Sequence, residues 1–133
     1  MNKENIEILV KDFPDLYREF NEKGNIVGFD VMDGWFHIIY ELSEKISQSD
    51  PNCVAIQVKE KFGGLRFYVG PSTKTVLDII NEYEYKAYKT CENCGTEEGV
   101  KQHSGGWIKT LCDNCHIEFE KEKEERWKEK LND

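Results

Sequence analysis

No stretch of this chain approaches the run of apolar residues needed to cross a bilayer, so a helical membrane span is not expected. The opening residues, Met1-Asn2-Lys3-Glu4, do not lead from a basic stretch into a hydrophobic one, and no secretion signal is read there. Excess positive charge is also missing. Lys and Arg number 18 against 26 Asp and Glu, a net charge of −8. That balance disfavours long-range attraction to nucleic acid or to an anionic membrane, which need a concentrated positive field. It holds in both parts of the chain, with 9 basic against 15 acidic residues in 1–85 and 9 against 11 in 86–133. An acidic protein of this kind more naturally meets a basic protein surface. No internal repeat is visible, and no glycine-rich loop carries the Lys-Ser/Thr ending of a nucleotide phosphate site. What remains is a chain of 133 residues, 38% hydrophobic and 33% charged, too apolar to be disordered and polar for an enzyme with a deep pocket. The expectation is a cytoplasmic protein of one domain, or one modest domain with a small appendage.

Against these absences, four of the five cysteines are conspicuously placed. Cys91-x2-Cys94 is followed, seventeen residues later, by Cys112-x2-Cys115. In a reducing compartment such pairs read as metal ligands rather than disulfides. Two pairs at this spacing can close a tetrahedral thiolate shell around one zinc ion, leaving no position for water or substrate, so the expected cofactor is a single structural Zn2+. Gly95 falls where a tight knuckle needs an unhindered backbone. Cys53, followed by Val54-Ala55-Ile56, reads as a buried core residue.

Periodicity supplies the frame. Apolar residues spaced by three and four from Ile6 to Phe20 predict a helix over residues 3–22, broken or kinked at Pro14. Gly24, Gly28 and Gly34 punctuate the next stretch, with Asp33 as a turn or cap residue, before a second helix from Trp35 to about Ser47. Residues 53–58 and 65–69 alternate as strands, joined by a hairpin connection over residues 59–64. Pro71-Ser72 caps a third helix that leads to Cys91. A short hairpin through residues 103–107 and a final, highly charged helix from Asp113 complete the chain, the helix having only Ile117, Phe119, Trp127 and Leu131 as an apolar stripe. The predicted fold class is α+β: residues 1–88 as helices packed on a β-hairpin, and residues 89–133 as a treble-clef-like zinc module with a C-terminal helix.

Outside the cysteines, Lys59, Lys61, Arg66 and Tyr68 are the candidate binding residues. Lys59 and Lys61 share one strand face, Arg66 stands across from it, and strand alternation puts Tyr68 beside Arg66. They could grip a phosphate or an acidic partner, or they could be a solvated hairpin end. Core packing is the expectation for Trp35, Phe36, Phe62 and Phe67. His103 and His116 are read as surface or second-sphere histidines, since four cysteines already suffice for the metal.

Two resemblances bear on function. Leu111-Cys112-Asp113-Asn114-Cys115-His116, with the earlier Cys pair, is similar to the zinc-binding end of HNH nucleases. That likeness implies a divalent-metal site, for which only Gln102-His103 and Glu120 stand near the right positions, an incomplete set. Asp33-Gly34-Trp35-Phe36, the run Gln57-Val58-Lys59-Glu60-Lys61-Phe62-Gly63-Gly64-Leu65-Arg66-Phe67-Tyr68 and the paired CxxC motifs together resemble a family of small uncharacterised bacteriophage and prophage proteins. This resemblance implies a setting, the cytoplasm of a bacterial host, rather than a reaction. The resulting expectation is a non-enzymatic accessory protein that binds a host or phage protein, with nucleic-acid binding or a degenerate nuclease as alternatives and no membrane partner.

Overall fold

The computed structural model describes residues 1–22, 28–104 and 107–132. The turn expected at Gly24 and the Gly105-Gly106 part of the second hairpin lie outside the described residues. The N-terminal helical pattern resolves into two helices, α1 (Lys3–Asp12) and α2 (Arg18–Glu22). Asn2 caps α1 by accepting from the Asn5 amide at 2.8 Å. Pro14 separates the two, as a residue without an amide hydrogen that cannot continue the ladder. Strand β1 (Phe29–Asp30) follows, then a single 3-10 turn at Asp33–Trp35 that opens helix α3 (Phe36–Ser49).

Strands β2 (Ala55–Lys61) and β3 (Gly64–Val69) form the expected antiparallel hairpin, but it is tighter than its sequence suggests. Residues 59–61 belong to the strand, and the connection is only Phe62-Gly63, with φ of 54° and 81°. Both central residues are left-handed, the geometry that matches strand twist in two-residue hairpins and that usually calls for Asn-Gly. A phenylalanine there costs on the order of 1–2 kcal/mol. Contrary to the core assignment, Phe62 is 66% exposed. Two residues are too few for a periodicity signal, so β1, which pairs parallel to β2 through Phe29↔Val58 and Asp30↔Lys59, is invisible in the sequence.

Helix α4 (Lys74–Ala87) is capped by Thr73, whose Oγ1 accepts from the Val76 amide at 3.2 Å, not by Ser72, which donates to Asp50. Helices α3 and α4 pack together, and α4 lies against β3, where the Glu84 carboxylate accepts from the Phe67 amide at 2.9 Å. The core between helices and sheet contains Leu9, Tyr17, Ile39, Leu42, Val58, Leu65 and Val76, with Cys53 buried beside them as expected. Tyr17, Phe20 and Phe29 meet at centroid separations of 5.0–5.3 Å, Phe20 and Phe29 edge to face and Tyr17 tilted against both. Beyond α4, strands β4 (Val100–His103) and β5 (Lys109–Cys112) form a second hairpin, and helix α5 (Asp113–Asn132) begins directly after Cys112.

The two parts are joined along a seam built on glycines. The Gly34 amide donates to the Glu92 carbonyl at 2.7 Å, and the Trp35 indole donates to the Thr90 carbonyl at 2.9 Å with its ring fully buried. A Cβ on Gly34 would stand 2.3 Å from the Cys91 carbonyl oxygen and 2.4 Å from that of Glu92. Asp33 does not cap α3; its carboxylate accepts from the Asn2 amide and the Asn5 side chain, tying the turn to the start of α1. Gly34 and Trp35 are thus the buried anchor of this turn, with Asp33 at its exposed edge. Gly34→Ala is expected to destabilise the metal-loaded protein by about 1–3 kcal/mol or more, because backbone oxygens cannot swing aside. In urea titrations of both variants, Gly70→Ala, whose Cβ would find nothing closer than 3.9 Å, should stay within about 0.5 kcal/mol of the parent.

Candidate metal centre

All four predicted ligands converge. The Sγ atoms of Cys91, Cys94, Cys112 and Cys115 lie within 4.8 Å of one another and are, among the described residues, the one group of donors placed to hold a metal ion. Cys94 and Cys112 have their sulfurs 3.8 Å apart, against about 3.8 Å between ligands that sit 2.3 Å from a tetrahedral ion. The donor set and its spacing fit a single tetrathiolate-bound ion.

Local backbone geometry aims the sulfurs. Gly95 takes φ of 82° and donates to the Cys91 carbonyl at 2.9 Å, turning the chain so that the Cys94 amide points at the Cys91 sulfur, 3.5 Å away. The second pair repeats this device at the start of α5, where the Cys115 amide points at the Cys112 sulfur at 3.4 Å. The Asn93 side chain adds a donor to the Cys115 sulfur at 3.3 Å. Burial raises the Cys91 thiol, but amide donors from Cys94, Cys112 and Asn93 outweigh it and bring its pKa to about 7. Burial pushes Cys115 up to about 12 despite the Asn93 bond. The Thr96 amide lowers the Cys94 thiol, but burial and the neighbouring Cys91 and Cys112 sulfurs together outweigh it and raise its pKa.

Sequence reasoning missed Glu92, the second residue of the first pair, which looks like an exposed knuckle position. It is buried, and links three elements: its amide donates to the Thr110 carbonyl at 3.0 Å, its carbonyl accepts from Gly34, and its Oε2 accepts from the Met32 amide at 3.1 Å. Its Oε1 has no hydrogen-bond partner and sits 3.9 Å from the Lys109 ammonium. Desolvation raises the Glu92 pKa, and Lys109 opposes that rise. No local pattern could have signalled this role, because it exists only once the turn at Gly34 and strand β5 arrive.

The other candidates separate into distinct places. Lys59 pairs directly opposite Arg66 in the β2–β3 register, Gln57 opposite Tyr68, and the Lys59 ammonium lies 5.6 Å from the centre of the Tyr68 ring. Gly63 and Gly64, flanked by these cations, do not hold a phosphate loop. Thr110 donates to the Gly63 carbonyl, which makes a second contact with the cysteine module, and a Cβ on Gly64 would lie 2.3 Å from the hydroxyl of Tyr88, just past the end of α4. His103 and His116 stack face to face, 3.7 Å between centroids and 5° between planes, with His103 Nε2 3.1 Å from the Leu111 carbonyl oxygen. His37 Cε1 lies 3.4 Å from where a Cβ on Gly95 would stand.

No known family model, curated protein or solved structure matches this chain. Among the described residues, no helix is long and apolar enough to cross a membrane.

Metal binding must displace protons from the raised thiols. Zinc titration at neutral pH, followed by calorimetry in buffers of different ionisation enthalpy, is expected to release at least two protons per ion, those of Cys94 and Cys115. Affinity should fall as pH falls. Proton release near zero would mean that the sulfurs are not the ligands.

Proposed function

We propose that this chain is a zinc-stabilised, non-enzymatic accessory protein that works by docking on another protein. One Zn2+ held by Cys91, Cys94, Cys112 and Cys115 serves as a structural ion in a treble-clef arrangement of knuckle, hairpin and helix. Support comes from the donor chemistry: with four thiolates no coordination position remains open for substrate or water. The biology is then carried by the surface rather than by the ion.

The observation that carries the docking reading is the outer face of the β2–β3 hairpin. Lys59 stands opposite Arg66 with Lys61 two residues along the same face, and among the described residues none of the three is in an ion pair. Tyr68 and Ile56 are exposed on these strands. Lys59 and Arg66 beside the accessible Tyr68 ring, with the Lys61 ammonium over the Phe62 ring, suit an acidic patch on a partner, with electrostatic complementarity setting orientation and on-rate. The resemblance to small phage and prophage proteins supplies the setting in which such a partner would be a host or phage protein.

A nuclease reading has less to support it. His103 is engaged with a backbone carbonyl and stacked on His116, and no second donor cluster accompanies the cysteines among the described residues.

Charge reversal at Lys59→Glu and Arg66→Glu is the test. Affinity capture from host or infected cells, quantified against the parent, should show one saturable complex that weakens at least tenfold in the double variant, with unchanged circular dichroism and metal content. A complex retained at full strength would remove this face from the account.

A further inference from the structure

Helix α5 has a cationic and aromatic side that the net charge does not reveal. At about 100° per residue, Phe119, Lys123, Arg126, Trp127 and Lys130 fall on the side of the helix that His116 occupies. Glu118, Glu122, Glu125 and Glu129 fall about 120° further round the helix, with Glu129 still lining the groove, and Lys121 and Lys128 lie on the far side. The cationic and aromatic side forms one wall of a groove of about 940 Å³, whose other wall is the β4–β5 hairpin with Trp107, Lys109 and Leu111. Trp107 and Trp127 line it and are 76% and 64% exposed. The apolar stripe expected on α5 does not bury itself: Ile117 and Leu131 are exposed as well, so the helix is not held by a hydrophobic face of its own beyond Phe119.

Not every cation in the groove is available. Lys109 is committed to Glu60 at 3.2 Å, whereas Lys123, Arg126 and Lys130 take part in no ion pair among the described residues. Glu120 and Glu129 are the acidic side chains that line the groove. Trp107 and Lys109 also line an adjoining cleft that contains Lys61 and the strained, outward-facing Phe62, so the groove continues toward the hairpin tip.

We infer that this groove binds single-stranded nucleic acid, a function separate from the protein-docking face. Bases offer a π-face to any exposed indole regardless of sequence, and the phosphates between them need free cations at intervals. Two tryptophans on facing walls with Lys123, Arg126 and Lys130 beside them supply both. An acidic peptide would satisfy the cations but leave the indoles without stacking partners. The overall acidity does not oppose this, because Lys123, Arg126 and Lys130 outnumber Glu120 and Glu129 in the groove itself, and exposed charges beyond a Debye length of about 8 Å are largely screened at physiological salt.

The test uses the full, zinc-loaded chain and a fluorescein-labelled oligothymidine of fifteen nucleotides, followed by anisotropy and by quenching of tryptophan emission. Binding is expected at low salt, with log affinity falling as log salt rises at a slope of about −2, or roughly −0.7 for each of three neutralised phosphates. Lys123→Glu with Arg126→Glu should weaken it at least tenfold, and Trp127→Ala roughly five- to a hundredfold. These side chains are exposed, so circular dichroism and metal content should not change. Lys59→Glu with Arg66→Glu should bind the oligonucleotide as the parent does, which keeps this inference distinguishable from the docking face. No binding at low salt would overturn it, as would binding that the α5 variants leave unchanged. Equal affinity for a polyglutamate peptide would overturn it in favour of simple charge reading, and equal affinity for duplex would remove the role of stacking.

Discussion

Convergence of four sulfurs is the constraint on which the C-terminal third of this molecule depends. The buried cluster there consists of Cys91, Leu111, Cys112 and Cys115, with Val100 and Phe119 packed against it. Three of its four buried members are cysteines of the candidate metal centre. A core of that size cannot offset the conformational entropy of ordering two strands and a helix, whereas a tetrathiolate ion contributes on the order of 10–16 kcal/mol in small zinc peptides. Helix α5 illustrates the point: beyond Phe119 every described side chain is exposed, so its position is set at its first turn, by Cys112 and Cys115.

The candidate metal centre is in turn locked to the rest of the chain by two glycine-containing turns. Gly34 admits the Cys91 and Glu92 carbonyls where a methyl group would clash, and Gly63-Gly64 admit Thr110 and the Tyr88 hydroxyl. The first is an approach of backbone to backbone and the second an approach of backbone to side chains, and the flanking residues Trp35 and Glu60 reinforce the seam through Thr90 and Lys109. The cost is visible in Glu92, a carboxylate buried beside the centre with one oxygen unpartnered and only a distant ammonium to offset it.

What could be read from the sequence follows from the range of each signal. The ligand quartet, α1 through α5 and the β2–β3 hairpin rest on local spacing and periodicity, and they stand in the structure with shifts of a few residues at their ends. Thr73 displaced Ser72 as the cap because the helix starts one residue later, a distinction that composition does not make. Strand β1 is two residues long, and its parallel partner is nearly thirty positions away, so nothing local marks it. The roles of Gly34, Gly63 and Glu92 are long-range by nature. The cationic side of α5 was present in the sequence as a helical spacing of charge, but it is masked by a net charge summed over all faces.

The most direct test of the central claim is residue-resolved hydrogen exchange on the purified zinc protein before and after chelation under reducing conditions. Removing the ion is expected to abolish protection across residues 91–119 while amides of α3, α4 and the β2–β3 hairpin stay protected. Unchanged protection across residues 91–119, or a freshly purified protein that carries no metal and is equally protected there, would contradict the account.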